Sequence, residues 1–278
     1  MSHALQKRQA AEGDGLRRFV ERHGRLFVLT GAGCSTGSGI PDYRDSDGAW
    51  KRKQPVTFQA FMGSELTRRR YWARSLLGWR RFRRAAPNDA HRALARLEWM
   101  GKSALLVTQN VDRLHQAAGS RNVIDLHGRL DQIRCMSCER RTPREDLQHA
   151  LESLNPDWAA LEAADAPDGD SELDGVDFSS FSIPCCAACG GVLKPDVVFF
   201  GENVPRDRVE TAVQELEQAD AMLVVGTSLM VYSGFRFAET AARQGKPTAA
   251  IVLGRTRADH LLALKVEQSC EAALAFLL

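Results

Sequence analysis

The short apolar run Leu26-Phe27-Val28-Leu29-Thr30 passes directly into Gly31-Ala32-Gly33-Cys34-Ser35-Thr36-Gly37, and that junction limits the fold more than any other stretch. A buried strand that ends in glycines is how a doubly wound α/β sheet opens a nucleotide site. Gly31 and Gly33 lack the Cβ atoms that would hold a pyrophosphate away from backbone N–H groups. Ser35 or Thr36 is then placed to cap a helix whose N-terminus faces the anion. The spacing is GxGxxxG instead of the usual GxGxxG, so the loop alone leaves a ligand-free α/β turn open. Beyond it, Gly39-Ile40-Pro41-Asp42-Tyr43-Arg44 sets a rigid proline beside a carboxylate, an aromatic ring and a guanidinium.

Further short runs rich in Val, Ile, Leu and Phe fall at 104–108, 196–200, 222–226 and 248–253. Helical patterns at 90–100, 209–219, 236–244 and 258–266 alternate with them, which predicts a parallel sheet with helices on both faces. Ligands of such sheets sit beyond the carboxyl ends of the strands, where Gln109-Asn110, Gly226-Thr227-Ser228 and Gly254 fall. Two stretches break the alternation. Residues 46–86 are basic, with eight arginines between 68 and 84, and 135–190 begin and end in cysteine pairs. The expected architecture is therefore α/β: a Rossmann-like doubly wound parallel sheet from 1–45, 87–134 and 191–278. A helical module (46–86) and a zinc-ribbon module (135–190) form a smaller domain. The acidic stretch 164–175 reads as an exposed loop.

Seven cysteines in a chain with no apolar N-terminal segment favour metal over disulfides. Cys135-x-x-Cys138 and Cys186-x-x-Cys189 supply four thiolates on tight turns, which suits tetrahedral structural Zn²⁺. Cys185 competes with Cys186 for that role, and a redox dithiol is the alternative. Cys34 and Cys270 read first as small buried hydrophobes. A net charge of +2 is too small to argue for nucleic acid, and no apolar stretch approaches the ~20 residues that span a bilayer. The cytoplasm is the expected compartment, and the oligomeric state is not legible. His127 follows Val123-Ile124-Asp125-Leu126 and precedes a glycine at the ligand edge, where a neutral imidazole suits a general base. Asn110 and Asp112 alternate along an extended segment and so share a face.

These motifs, in this order, resemble those of the sirtuins, the NAD-dependent protein lysine deacylases: GAGCSTGSGIPDYRD, TQNVDRLH, LHG, two CxxC pairs, KPDVVFFGE (194–202) and GTSL (226–229). The resemblance runs from about 25 to 278. PDYRD, RRYWARSLLGW (69–79) and NPDWAALEAADAPDGD (155–170) are similar to the class II, sirtuin-4-like members. It implies NAD⁺ as co-substrate, with Gly31, Ala32, Gly33, Ser35 and Arg44 at the pyrophosphate. Ile40, Pro41, Asp42, Asn110 and Asp112 would surround the nicotinamide, and Gln109 its ribose. Gly226, Thr227, Ser228, Val252, Leu253, Gly254 and the backbone of Cys270 would hold the adenosine end. The acyl-lysine peptide would pair as a strand with Val198, Phe199, Phe200 and Gly201. His127 would act as general base, assisted by Asn110 and Asp112, with nicotinamide and O-acyl-ADP-ribose released. Val252 departs from the family, which usually carries an asparagine there.

Tyr71 and Arg74 stand at i and i+3 and share a helix face. In sirtuins that prefer acidic acyl groups, such a pair grips the distal carboxylate, for which a guanidinium fork is well shaped. A solvated basic helix is the bland reading, and acetyl remains the default substrate. A protein mono-ADP-ribosyltransferase using the same NAD site is the main alternative. A zinc-and-arginine module gripping nucleic acid is the other rival, and the acidic loop speaks against it. No membrane association is expected.

Overall fold

The computed structural model describes residues 3–51, 54–161, 164–165, 171–172 and 176–278. In chain order its strands are β1 (Leu26–Thr30), β2 (Ser103–Thr108), β3 (Val123–Asp125), β4 (Gly128–Cys135), β5 (Arg141–Pro143) and β6 (Ala164–Asp165). They continue with β7 (Ser171–Glu172), β8 (Leu193–Val197), β9 (Ala221–Val225), β10 (Thr248–Ile251) and β11 (Leu264–Val266). The α-helices are α1 (His3–Arg22), α2 (Phe58–Gly63), α3 (Glu65–Phe82), α4 (Asp89–Trp99) and α5 (Leu114–Ala117). After these come α6 (Arg144–Leu154), α7 (Pro156–Ala159), α8 (Arg206–Gln218), α9 (Tyr232–Arg243) and α10 (Cys270–Leu274). The described residues fall into two compact units. One is drawn from Met1–Arg52, Ala86–Leu126 and Val204–Leu278, the other from Lys53–Ala85 and His127–Asn203.

The first unit is a six-stranded sheet in the order β11-β10-β9-β1-β2-β3, parallel throughout. Side chains alternate across it. Leu26, Val28, Leu223 and Val225 enter one buried cluster with Leu94, Leu97 and Leu274, while Phe27, Leu29, Met222 and Val224 enter another with Leu216, Phe237 and Ala241. Apolar residues on both faces of each strand require helices on both sides, which is the doubly wound arrangement the alternation predicts. Asn88 caps α4 reciprocally with His91 and so fixes where that helix starts.

The second unit is a three-stranded antiparallel sheet, β5-β4-β8, packed with α2, α3 and α6 around Phe61, Tyr71, Trp72, Leu151, Phe181 and Phe199. β4 and residues 191–203, which the sequence reading attaches to the larger domain, belong here. Antiparallel pairing of Gly128 with Val197 and of Cys135 with Leu193 holds them. Among the described residues no helix is long and apolar enough to cross a membrane.

Three local expectations are corrected. The glycine loop opens no α-helix: Ala32–Cys34 and Thr36–Ser38 are single 3₁₀ turns, and Ser35 makes no capping bond. Its hydroxyl is committed to Asp112 instead. Residues 258–266 form a short 3₁₀ turn and β11, because Leu264 and Val266 pair with Ala249 and Ile251 at the sheet edge. The run at 196–200 is not a parallel core strand; the strand ends at Val197 and belongs to the small sheet. The acidic stretch lies largely outside the described residues, and its described parts, β6 and β7, pair antiparallel.

Candidate functional site

Asn110, Asp112 and Ser35 come together beneath the glycine loop. Asn110 Nδ2 donates to Ser35 Oγ at 2.9 Å and to Gly31 O at 3.1 Å, and Ser35 Oγ donates to Asp112 Oδ2 at 2.7 Å. The other Asp112 oxygen accepts from Leu114 N at 2.9 Å. Burial pushes the Asp112 carboxyl up, while the Leu114 N–H and the Ser35 hydroxyl pull it back. Arg113 stands between them in the left-handed region (φ 66°), ion-paired with Asp125. Gln109 is fixed separately, its Oε1 accepting from Thr227 Oγ1 at 2.7 Å.

Gly31 and Gly33 are glycines for a reason nearer than any ligand. A Cβ on Gly31 would lie 2.6 Å from Thr227 Cβ, and one on Gly33 would lie 2.9 Å from Gly226 O. Their N–H groups donate to Val225 O and Gly226 O. The loop after β1 and the loop after β9 are thus locked backbone to backbone. Cys270 reaches the same place from α10, its Sγ 3.6 Å from Gly33 O.

Past the loop, Ile40 is buried, Asp42 accepts from Lys51 Nζ at 2.5 Å, and Arg44 lies 4.0 Å over the Trp50 ring while donating to Gly48 O. At the other strand ends, Ser228 O accepts from Arg257 N, and Val252 is a buried member of the core. Leu253 is exposed. Gly254, at φ 89°, passes so close to Ser46 O that a Cβ would lie 2.2 Å from it.

The second unit carries the remaining predicted residues. His127 is half-buried, its carbonyl accepting from Val198 N at 2.8 Å. Gly128 follows at φ 83°, where a Cβ would meet Asp196 O. Phe200 O accepts from Phe58 N, and Gly201 O accepts from Gln59 Nε2. The Phe199 ring lies 5.3 Å from Tyr71 and from Phe61. Arg74, one turn after Tyr71, is half-buried.

The residue missed by sequence reasoning is Lys194. It is buried, ion-paired with Glu202 at 3.0 Å and 4.5 Å from the Phe199 ring centre. Glu202 in turn accepts from Phe199 N at 2.9 Å, so one lysine–glutamate pair pins segment 198–202. Its signal was a lysine and a glutamate at the two ends of a run whose only other charge is Asp196.

Cys135, Cys138, Cys186 and Cys189 place their sulfur atoms within 4.8 Å of one another, and two of the contacts are 3.5 and 3.8 Å. Tetrahedral zinc with bonds of ~2.3 Å sets sulfurs about 3.8 Å apart, so the cluster fits a structural zinc. Backbone N–H groups of Cys138 and Ser137 pull the Cys135 thiol down to about 6, readying it as a thiolate. Cys185 is exposed and outside the cluster, which resolves the competition in favour of Cys186.

Comparison with known proteins agrees with this geometry. The sequence profile of the Sir2 family matches residues 31–233. The chain is 70% identical over 263 residues to NAD-dependent protein deacetylase 2 of Bradyrhizobium diazoefficiens, covering 95% of this chain and 96% of that protein. It is 70% identical over 265 residues to the NAD-dependent protein deacetylase of Xanthomonas campestris pv. campestris, covering 95% and 90%. Among solved structures, a Sir2–p53 peptide–NAD⁺ complex superposes with a TM-score of 0.74 at 30% identity, over 94% of this chain and 95% of that one. A Sir2 homologue–NAD complex gives 0.72 at 32% identity, over 95% and 91%. With its glycine loop, its Asn110–Ser35–Asp112 network and its four-cysteine cluster, the chain belongs to the Sir2 family.

Proposed function

We propose that the chain is an NAD-dependent protein lysine deacylase of the class II, sirtuin-4-like kind. The observation that carries this reading is the convergence of Asn110, Ser35 and Asp112 under the glycine loop, in a chain 70% identical to named deacetylases. An amide, a hydroxyl and a carboxylate at the carboxyl edge of a parallel sheet suit a dinucleotide. When bound, NAD⁺ would supply an electrophilic ribose carbon, open to the acyl oxygen as the bond to nicotinamide breaks.

The chain's own residues then have separable tasks. Gly31, Ala32, Gly33, Ser35 and Arg44 hold the pyrophosphate. Ile40, Pro41, Asp42, Asn110 and Asp112 enclose the nicotinamide, Asn110 orienting its amide through the bonds that already tie it to Ser35. Gln109, set by Thr227, faces the ribose. Gly226, Ser228, Leu253, Gly254 and Cys270 serve the adenosine end. Val252 is a core residue, so it serves through its backbone, which accommodates the lost asparagine. His127 takes a proton from the ribose hydroxyls as general base. Val198 to Gly201 receive the peptide as an added strand, and zinc is structural, binding Cys135, Cys138, Cys186 and Cys189 together.

Acetyl-lysine is the substrate favoured by the names of the relatives. One observation favours acidic acyl groups as a second substrate class: Tyr71 packs on Phe199 of the peptide-binding segment, and Arg74 follows it by one turn. Mass spectrometry of acetyl-, succinyl- and glutaryl-lysine peptides with and without NAD⁺ tests both. Acetyl loss requiring NAD⁺, with O-acetyl-ADP-ribose formed and a roughly 10²–10⁴-fold drop in His127→Ala, is expected. ADP-ribose appearing on protein without deacylation would instead establish the transferase. Arg74→Gln should lower kcat/KM for glutaryl-lysine at least tenfold more than for acetyl-lysine, in line with a lost charge-assisted pair; equal losses would remove the acidic reading.

A further inference from the structure

Directly below the glycine loop lies a second group of metal-ligating side chains, which the deacylation chemistry does not use. Cys34, His91 and His115 are 0%, 0% and 1% exposed, and one donor atom from each lies within 4.8 Å of the others. The two imidazole rings are 4.7 Å apart.

The hydrogen-bond chain around them assigns the tautomers. Thr30 Oγ1 donates to Thr108 Oγ1 at 2.9 Å, so toward His115 Nε2, also at 2.9 Å, it must accept. His115 therefore carries its proton on Nε2, and Nδ1 is a bare lone pair. That atom is buried and has no partner, a costly arrangement in a protein interior. His91 Nδ1 accepts from Asn88 N at 3.3 Å and its Nε2 lies 3.4 Å from Ser35 Oγ, so its proton rests on Nε2; ligation at Nε2 moves that proton to Nδ1, where Asn88 Oδ1 at 2.8 Å accepts it. Burial lowers both imidazoles, His91 to about 4, so both stay neutral at physiological pH.

We propose that Cys34, His91 and His115 form a second, regulatory binding site for a borderline-soft divalent metal such as Zn²⁺, and that its occupation weakens NAD⁺ binding. Two neutral imidazole nitrogens and one sulfur suit zinc far better than magnesium or calcium. The metal displaces the Cys34 thiol proton, so binding is Cys–SH + M²⁺ → Cys–S–M⁺ + H⁺, with the proton released to solvent. Three ligands leave a fourth position to a water or to Ser35 Oγ. Around tetrahedral zinc, S and N donors stand roughly 3.3–3.7 Å apart. The three donors, all within 4.8 Å of one another, are thus near enough for one ion to hold them at those spacings. Cys34 lies between Gly33 and Ser35, so a metal on its sulfur ties the proposed NAD loop to α4 and α5, and Ser35 Oγ as fourth ligand is drawn from its bonds to Asn110 and Asp112. By linkage, NAD⁺ opposes the metal as strongly as the metal opposes NAD⁺.

The test uses the full chain with its four-cysteine site filled by zinc. Cobalt(II) is added, and a sulfur-to-cobalt charge-transfer band is followed together with metal stoichiometry by native mass spectrometry. One further equivalent per chain, with the band, is expected. The band should survive Cys185→Ala and disappear in Cys34→Ala and His115→Gln. Absence of a second equivalent in the wild type, or a band that persists in folded Cys34→Ala, overturns the site without reference to activity. Direct NAD⁺ titration with and without excess Zn²⁺ tests the coupling: the Kd should rise about 5-fold or more. An unchanged Kd overturns the antagonism. A chain that binds no NAD⁺ at all refutes the proposed function, and the cobalt arm still decides the site.

Discussion

At the scale of the single residue, Asp112 shows how a site is held against stability. Its carboxyl is raised by burial, so ionising it costs more in the folded chain than in the unfolded one. A raised carboxyl contributes stability at pH values below its ordinary 3.8 and loses it as the pH climbs through the folded value. Asp112→Asn, which keeps an oxygen for the Leu114 N–H, should raise Tm at pH 7 while weakening NAD⁺ binding; a Tm that falls would contradict the assignment. Gly33 makes the opposite case. Its glycine was legible in the sequence, but the reason was not. Spacing suggested room for a phosphate, whereas the blocking atoms belong to Gly226, almost two hundred positions away in the chain. Gly33→Ala should cost about 1–3 kcal/mol in urea unfolding, with or without NAD⁺.

Among the elements, α3 corrects the picture of a bare basic stripe. Arg80 pairs with Glu152 at 2.8 Å and Arg83 with Glu145 at 2.7 Å, both on α6, and Arg68 donates to the carbonyls of Phe61 and Met62. A composition count sees the arginines but not the acids that meet them, because those lie 72 and 62 residues on. Arg144 at the start of α6 is the extreme member. It is buried between Trp72 and Trp79, at 5.4 and 5.2 Å, and burial brings it down to about 10, so it remains charged at neutral pH. Charge desolvation offsets much of what its contacts contribute. Arg144→Met should therefore stay within about 1 kcal/mol of wild type, whereas Arg144→Ala should lose roughly 2–5 kcal/mol through the cavity it leaves. Chemical denaturation of the pair decides this. The misread elements have a common cause. Short apolar runs at 196–200 and 258–266 carry no mark of which sheet will take them, and pairing with β4 and β10 settles the matter.

For the whole molecule, the doubly wound sheet, the cysteine pairs and the strand-end motifs were legible because each is fixed by local pattern. Groups that meet only in three dimensions were not, including the Lys194–Glu202 pair and the two buried histidines. The two units have separate hydrophobic clusters, so their stabilities need not move together. Chelating zinc should loosen the cysteine-bearing unit first. Trp72, Trp79 and Trp158 all lie in that unit, Trp72 and Trp79 deeply buried. Tryptophan emission should shift to the red on chelation while the far-ultraviolet signal of the parallel sheet largely persists. A single cooperative loss of both signals would show instead that the units melt as one.

The strand order has a consequence for how the chain is made. β1 leaves the ribosome well before β9, yet it lies at the middle of its sheet, between β2 and that later strand, Ala221–Val225. Until those late residues appear, one edge of β1 has no partner and one side of its glycine loop has nothing to lock against. The cysteine-bearing unit, by contrast, has all its residues once Asn203 has been added. Synthesis therefore delivers the smaller unit complete while the larger one is still an open half-sheet. That interval leaves an unpaired, apolar strand edge, which is where nascent chains of this fold are most exposed to wrong partners.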